Sequence, residues 1–300
     1  MKPTHAVIVA VVLAAALSGC AREAEQPRSG EGTGPRPNVV TVTVSDYSFQ
    51  APDSVPAGLT MIQALMRGEV PHHVNIVKLD SNRTAADYVN ALSPGSPPPA
   101  WATAVGGPNP TENGTTANAM LVLEPGNYAL ICFVDVPEGM PHFMRGMFKD
   151  MKVFARADTT ATDTTAVPAP ATAAAADTPV ELPAADVTMR LVDYDFPMDE
   201  VEAGLVTFRV ENDSPQDHEV LIVQLHGATT VEQVLLWMEN PQGAQPFTML
   251  GGVAPIAPGQ VNNFSVNLRR GRYGLICFVP DRGDGRPHFL HGMMKEMEVS

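Results

Sequence analysis

The sequence predicts an all-β protein built as two similar β-sandwiches in tandem, each interrupted by one short helix. Three observations carry this. The chain repeats itself: VSDYSF (44–49) returns as LVDYDF (191–196), and Ala57-Gly58-Leu59 as Ala203-Gly204-Leu205. NYALICF (127–133) returns as RYGLICF (272–278), and PHFMRGM (141–147) as PHFLHGM (287–293), at near-constant offset. A self-match at fixed spacing marks a duplicated structural unit. Within each copy the dominant hydrophobic period is two, and each copy has a single stretch of helical period.

The strands follow from alternation. Val40, Val42 and Val44 alternate with Thr41 and Thr43, and Val187, Met189 and Leu191 do the same in the second copy. Phe208 and Val210, then Phe264, Val266 and Leu268, alternate with polar residues, the pattern of a half-buried strand. Pro125-Gly126 and Arg270-Gly271 punctuate the chain before the strands that end in Cys132 and Cys277. The helix of the first copy is marked by Ala85, Tyr88, Val89 and Leu92 at i, i+3, i+4 and i+7, repeated by Val231, Val234, Leu235 and Met238. Thr84 and Thr230 stand where N-caps belong, and Gln233 completes a capping box.

Outside the repeats the composition changes. Lys2, an apolar run from Ala6 to Leu17 and then Leu17-Ser18-Gly19-Cys20 read as a signal peptide over 1–19, too short to span a bilayer. Its ending resembles the lipobox of bacterial lipoproteins, which implies lipidation of Cys20 and anchoring in the cell envelope. Ala21 in place of Asp points to the periplasmic face of the outer membrane. Residues 20–38 read as a flexible tether and 156–185, rich in Ala, Thr and Pro, as a linker. The expected domains are therefore 39–155 and 186–300. The formal charge of −14 excludes a nucleic-acid partner and becomes one unit more negative once Lys2 leaves with the signal peptide.

Each copy also repeats a set of potential metal ligands. Cys132, His142 and Met147 form C-x9-H-x4-M, and Cys277, His288 and Met293 form C-x10-H-x4-M. Upstream, His72 and His218 each stand at the start of a strand. A thiolate, two imidazoles and a thioether make the trigonal His₂Cys site with weak axial Met of blue copper proteins. A lone Cys in an apolar strand is ordinarily a small buried hydrophobe. An inter-domain disulfide would require equivalent strands of two sandwiches to meet.

The pattern resembles the cupredoxin family: a P-H-x-V setting for the first ligand, Tyr128-x3-Cys132 and Tyr273-x3-Cys277, then His-x4-Met before a final strand. The first loop, from Cys132 to Met147, is similar to the type 1 copper loop of copper nitrite reductases. The resemblance implies Greek-key sandwiches and up to two coppers, one held by His72, Cys132, His142 and Met147, the other by His218, Cys277, His288 and Met293. The family usually has Asn after the first His. Here His73 and Glu219 stand there, which puts the tie between the ligand loops in question and leaves His73 expected in solvent. Met294 beside Met293 competes for the axial position in the second copy.

Related copper enzymes place a His beside the type 1 Cys. Here Ile131 and Phe133 flank Cys132, and Ile276 and Phe278 flank Cys277. Together with the long linker this predicts no enzyme. The expected function is a membrane-tethered electron carrier serving a redox protein, a basic c-type cytochrome suiting its acidic surface. Two alternatives stay open: Cu(I) sequestration or delivery, aided by Met140, Met144, Met151, Met294 and Met297, and a metal-free binding or structural module.

Overall fold

A computed structural model describes residues 36–93, 97–135, 139–156 and 180–300. The signal peptide, Cys20 and most of the expected tether and linker lie outside the described residues. The described residues belong to one compact unit.

The first repeat forms β1 (Asn38–Ser45), β2 (Ser48–Gln50), β3 (Ser54–Pro56), β4 (Gly58–Met66), β5 (Asn75–Leu79), α1 (Ala85–Ala91), β6 (Ala102–Gly106), β7 (Thr116–Leu123), β8 (Gly126–Ile131) and β9 (Phe148–Phe154). The second forms β10 (Val187–Leu191), β11 (Gly204–Asn212), β12 (His218–Leu225), α2 (Val231–Glu239), β13 (Phe247–Ile256), β14 (Val261–Leu268), β15 (Gly271–Ile276) and β16 (Met294–Val299). The expected all-β class stands. The alternating residues behave as their period demands: Val40, Val42 and Val44 are buried in the first core, and Val187, Met189 and Leu191 in the second.

Both helices begin as their sequences predict. Thr84 and Thr230 accept from the backbone N–H three residues on, closing a capping box. Asp87 closes the first box, a role a Glu/Gln rule does not anticipate. Each helix start is also fastened to the last strand of its repeat, Ala85 N–H to Asp150 and Val231 N–H to Glu296. Tyr88 and Val234 turn inward, giving each helix a small core against the sheet.

The two repeats are not beads on a string. They share two continuous sheets, one in the order β10-β11-β14-β7-β4-β1-β2 and the other β16-β15-β12-β13-β6-β5-β8-β9-β3. The joins are β7 with β14 and β6 with β13, both antiparallel. Polar side chains reinforce them: Asn118 and Ser265 exchange hydrogen bonds at 2.7 and 2.9 Å, and Asn262 donates to Val105 O at 2.9 Å. The argument from a long linker against a fixed interface is thus corrected. Pairing the edge strands satisfies backbone groups that each sandwich alone would leave open.

Candidate metal centres

In the first repeat β5 and β8 pair with Asn75 opposite Ile131, so the chain before β5 and the chain after β8 leave the sheet side by side. This brings His72 to Cys132. The loop then closes on itself: Phe143 N–H donates to Cys132 O at 3.0 Å, Cys132 N–H to Met147 O at 3.2 Å, and Met147 N–H to His142 O at 3.2 Å. The second repeat reproduces these bonds, with Phe289, Cys277, Met293 and His288 in the same roles at 3.0 to 3.1 Å. The extra residue of the second loop is absorbed at its tip, between the bridged Pro280 and Pro287.

The ligand atoms of His72, Cys132 and His142 lie within 4.8 Å of one another, and so do those of His218, Cys277 and His288. His72 Nδ1 and His142 Nδ1 are 2.9 Å apart, with Cys132 Sγ 3.4 Å from the latter. Cys277 Sγ lies 3.4 Å from His288 Nδ1 and 3.8 Å from His218 Nδ1. Met147 and Met293 are fully buried in the cores that hold Cys132 and Cys277. Met294 packs in the separate cluster under α2. Both cysteines are free thiols, so no disulfide joins the repeats through them.

Burial pushes the Cys132 thiol up to about 12 and the Cys277 thiol higher still. Burial, then repulsion from His72, lowers His142 to about 4; burial and His218 do the same to His288. His72 and His218 are lowered by burial against the pull of their carboxylate partners. Each site therefore presents two neutral imidazoles and a thiol toward one point with no charge between them. A soft metal cation would displace the thiol proton and be held by three donors, so the donor set fits copper.

The sequence reading missed the residues that aim the first imidazole. Asp46 Oδ1 lies 2.9 Å from His72 Nε2, and Asp193 Oδ1 lies 3.1 Å from His218 Nε2. A carboxylate on Nε2–H leaves Nδ1 with its lone pair toward the site. The next residue serves the other imidazole: Tyr47 and Tyr194 stack edge-on against His142 and His288, centroids 5.2 and 5.6 Å apart. Both tyrosines sit in the left-handed region (φ 61° and 68°), a strained conformation for a bulky residue. The signal was in plain view, since Asp-Tyr is the constant centre of VSDYSF and LVDYDF.

His73 corrects a second expectation. It is buried at 6% exposure, outside the ligand cluster, and its Nε2 accepts Phe133 N–H at 2.9 Å. Glu219 is equally buried, and its Oε1 accepts Phe278 N–H at 3.1 Å. Each residue thus ties the segment that carries the first ligand to the residue after the Cys. Burial lowers His73 to about 3 and raises Glu219 to about 7.

No protein-family model and no curated protein matches the sequence. Solved structures do, at low identity. Auracyanin A, a blue copper protein of Chloroflexus aurantiacus, is 20% identical over 38% of this chain and 98% of its own, TM-score 0.27. A copper nitrite reductase from Nitrosomonas europaea is 11% identical over 88% of this chain and 94% of its own, TM-score 0.24. A multicopper oxidase variant from Aquifex aeolicus is 12% identical over 88% and 66%, TM-score 0.25. The chain has a cupredoxin-like fold in two tandem copies. The expectation of a non-enzyme is corrected at the same point: one of its two supports was a linker too long for a fixed interface, and the repeats share two continuous sheets.

Proposed function

We propose that the protein is a two-copper redox protein, each repeat holding one type 1 copper through His72, Cys132, His142 and Met147 or through His218, Cys277, His288 and Met293. The carrying observation is the convergence of two Nδ1 atoms and a buried thiol in both repeats. Copper bound there supplies a one-electron couple, soft sulfur favouring Cu(I) and imidazole serving both states. The protein supplies rigidity. Asp46 and Asp193 hold the first imidazole, the tyrosines hold the second, and the loop hydrogen bonds fix the Cys between them. Ligands held in place by their own hydrogen bonds and packing need little rearrangement when the charge changes. Burial keeps water from the thiolate.

Attachment through a lipidated Cys20, supported by the ending Leu17-Ser18-Gly19-Cys20, and delivery of electrons to a basic c-type cytochrome, supported by the charge of −14, belong to the same proposal. The copper-loaded chain should lose its visible thiolate band on reduction with ascorbate and regain it when oxidised cytochrome c is added. A chain that takes up Cu(I) without forming that band or cycling would be a copper-storage protein, and the electron-transfer reading would fall.

A further inference from the structure

The two residues that tie the ligand loops, His73 and Glu219, come from different repeats, and a side chain of the first repeat holds the second of them. Asn109 follows β6 at the join between the halves, where its N–H donates to Gly252 O at 3.2 Å. It is 1% exposed. Its amide nitrogen lies 3.1 Å from Glu219 Oε2, 2.9 Å from Val220 O and 3.1 Å from Val253 O, all in the second repeat. Three acceptors around one NH₂ fix which way the amide points. Its oxygen has no hydrogen-bond partner among the described residues.

The arrangement is one-sided. Gly106-Gly107-Pro108-Asn109-Pro110 corresponds in the repeat to Gly251-Gly252-Val253-Ala254-Pro255, so the second copy carries Ala254 where the first carries Asn109. Glu219 itself reaches Cys277 by two routes: its carboxylate accepts Phe278 N–H, and its own N–H lies 3.5 Å from Cys277 Sγ. With Oε1 on Phe278, Oε2 has Asn109 as its partner.

We propose that Asn109, a residue of the first repeat, is a positioning residue for the metal site of the second: it holds Glu219, and through Glu219 the Phe278 amide and the Cys277 sulfur. The second site is then incomplete without the first repeat, while among the described residues the first site has no corresponding donor from the second, which carries Ala254 at the matching position. This rests on the two-copper reading, because the property being positioned is the thiolate's approach to copper.

The test uses the full chain carrying Cys132→Ser, so that a thiolate band can come only from the second site, and compares Asn109→Ala with the parent. Asn109→Ala should shift the band and the reduction potential of the second site. In the metal-free chain, Phe278 N–H should exchange with solvent at least about tenfold faster, because a local tie has been opened. The same substitution in a Cys277→Ser chain should move the first site's band much less. Asn109→Ser, which keeps a hydroxyl donor near Glu219 and is the milder change, should fall between and serves if the Ala variant does not fold. An unchanged band, potential and Phe278 exchange would overturn the proposal, as would equal effects on both sites. A parent Cys132→Ser chain that forms no thiolate band would overturn the copper reading instead, and Phe278 exchange would still decide whether Asn109 holds the loop.

Discussion

The two candidate sites share a ligand geometry and differ in how it is supported. In the first, Asp46 is the hydrogen-bond partner of His72 Nε2, and Gly68 lies so close that an added Cβ would stand 2.4 Å from Asp46 Oδ1 and 2.5 Å from His72 Nε2. At the matching position the second repeat has Ser214, whose hydroxyl lies 2.8 Å from His218 Nε2 and also bonds Asp193. The second site adds Asp281, which accepts from Tyr194 OH and Gln216 Nε2 and caps the turn at Gly283. One support is spare and depends on a glycine. The other is a network with redundant partners. Duplication preserved the ligands while letting the scaffolding diverge, so each site should fail differently.

Exchanging the paired residues should have the largest effect. Gly68→Ser places atoms where Asp46 and His72 already are, and should abolish copper uptake by the first site alone. Ser214→Gly removes one of two partners of His218 and should cost roughly 1 kcal/mol, with copper retained. Copper stoichiometry and thermal unfolding of the two variants check both. If Gly68→Ser binds two coppers, the first site is more plastic than described.

Next come the carboxylates. Asp46→Asn and Asp193→Asn should each weaken copper binding on the order of 10–100-fold, as loss of a partner that orients a ligand does. The first should suffer more, because Ser214 still partners His218 in the second. Competitive titration against a chelator reads the difference, and equal losses would erase the claimed redundancy.

Acid should sharpen the contrast in the metal-free protein. His72, His73, His142, His218 and His288 all have folded values below the ordinary 6.5. Between about pH 6.5 and 4 the unfolded chain binds protons that the folded chain does not. Each such proton lowers stability by about 1.4 kcal/mol per pH unit. Glu219, raised to about 7, works the other way: its contribution is present below 4.5 and is lost as pH rises toward 7. Three of the histidines are in the first repeat, and Glu219 opposes the two in the second. Hydrogen exchange at falling pH should therefore open β5 and β8 before β12 and β15. The reverse order would contradict this assignment of the buried groups.

The smallest expected effect is a control on the symmetry itself. Thr84→Ala and Thr230→Ala each remove one cap of a complete box and should cost about 1 kcal/mol apiece. A large inequality in thermal unfolding would show that the helices carry different loads.

Much of this was legible in the sequence, for a physical reason. Strand period, helix caps and the Cys-to-Met loops are local, and the repeat exposes them twice. What stayed hidden depends on non-local pairing. Asp46 lies 26 residues from His72 and meets it because the turn after β1 approaches the segment before β5. His73 reads as a polar residue at a strand's start, and only the turn of the chain after Cys132 shows its ring receiving a backbone N–H. The fusion of the repeats was invisible because edge pairing leaves no mark on hydrophobic period; Val105 facing Ile256 looks like any strand residue. Asn109 lay in a Gly-Pro-rich stretch that reads as a turn.

The most direct test of the account is a Cu(II) titration of the full chain beside its Cys132→Ser and Cys277→Ser variants, read by visible absorption and bound copper together. The account predicts two coppers and two thiolate bands in the parent, one of each in either variant, and no thiolate band in the double variant. A colourless parent, or a band that survives the loss of both cysteines, would contradict it.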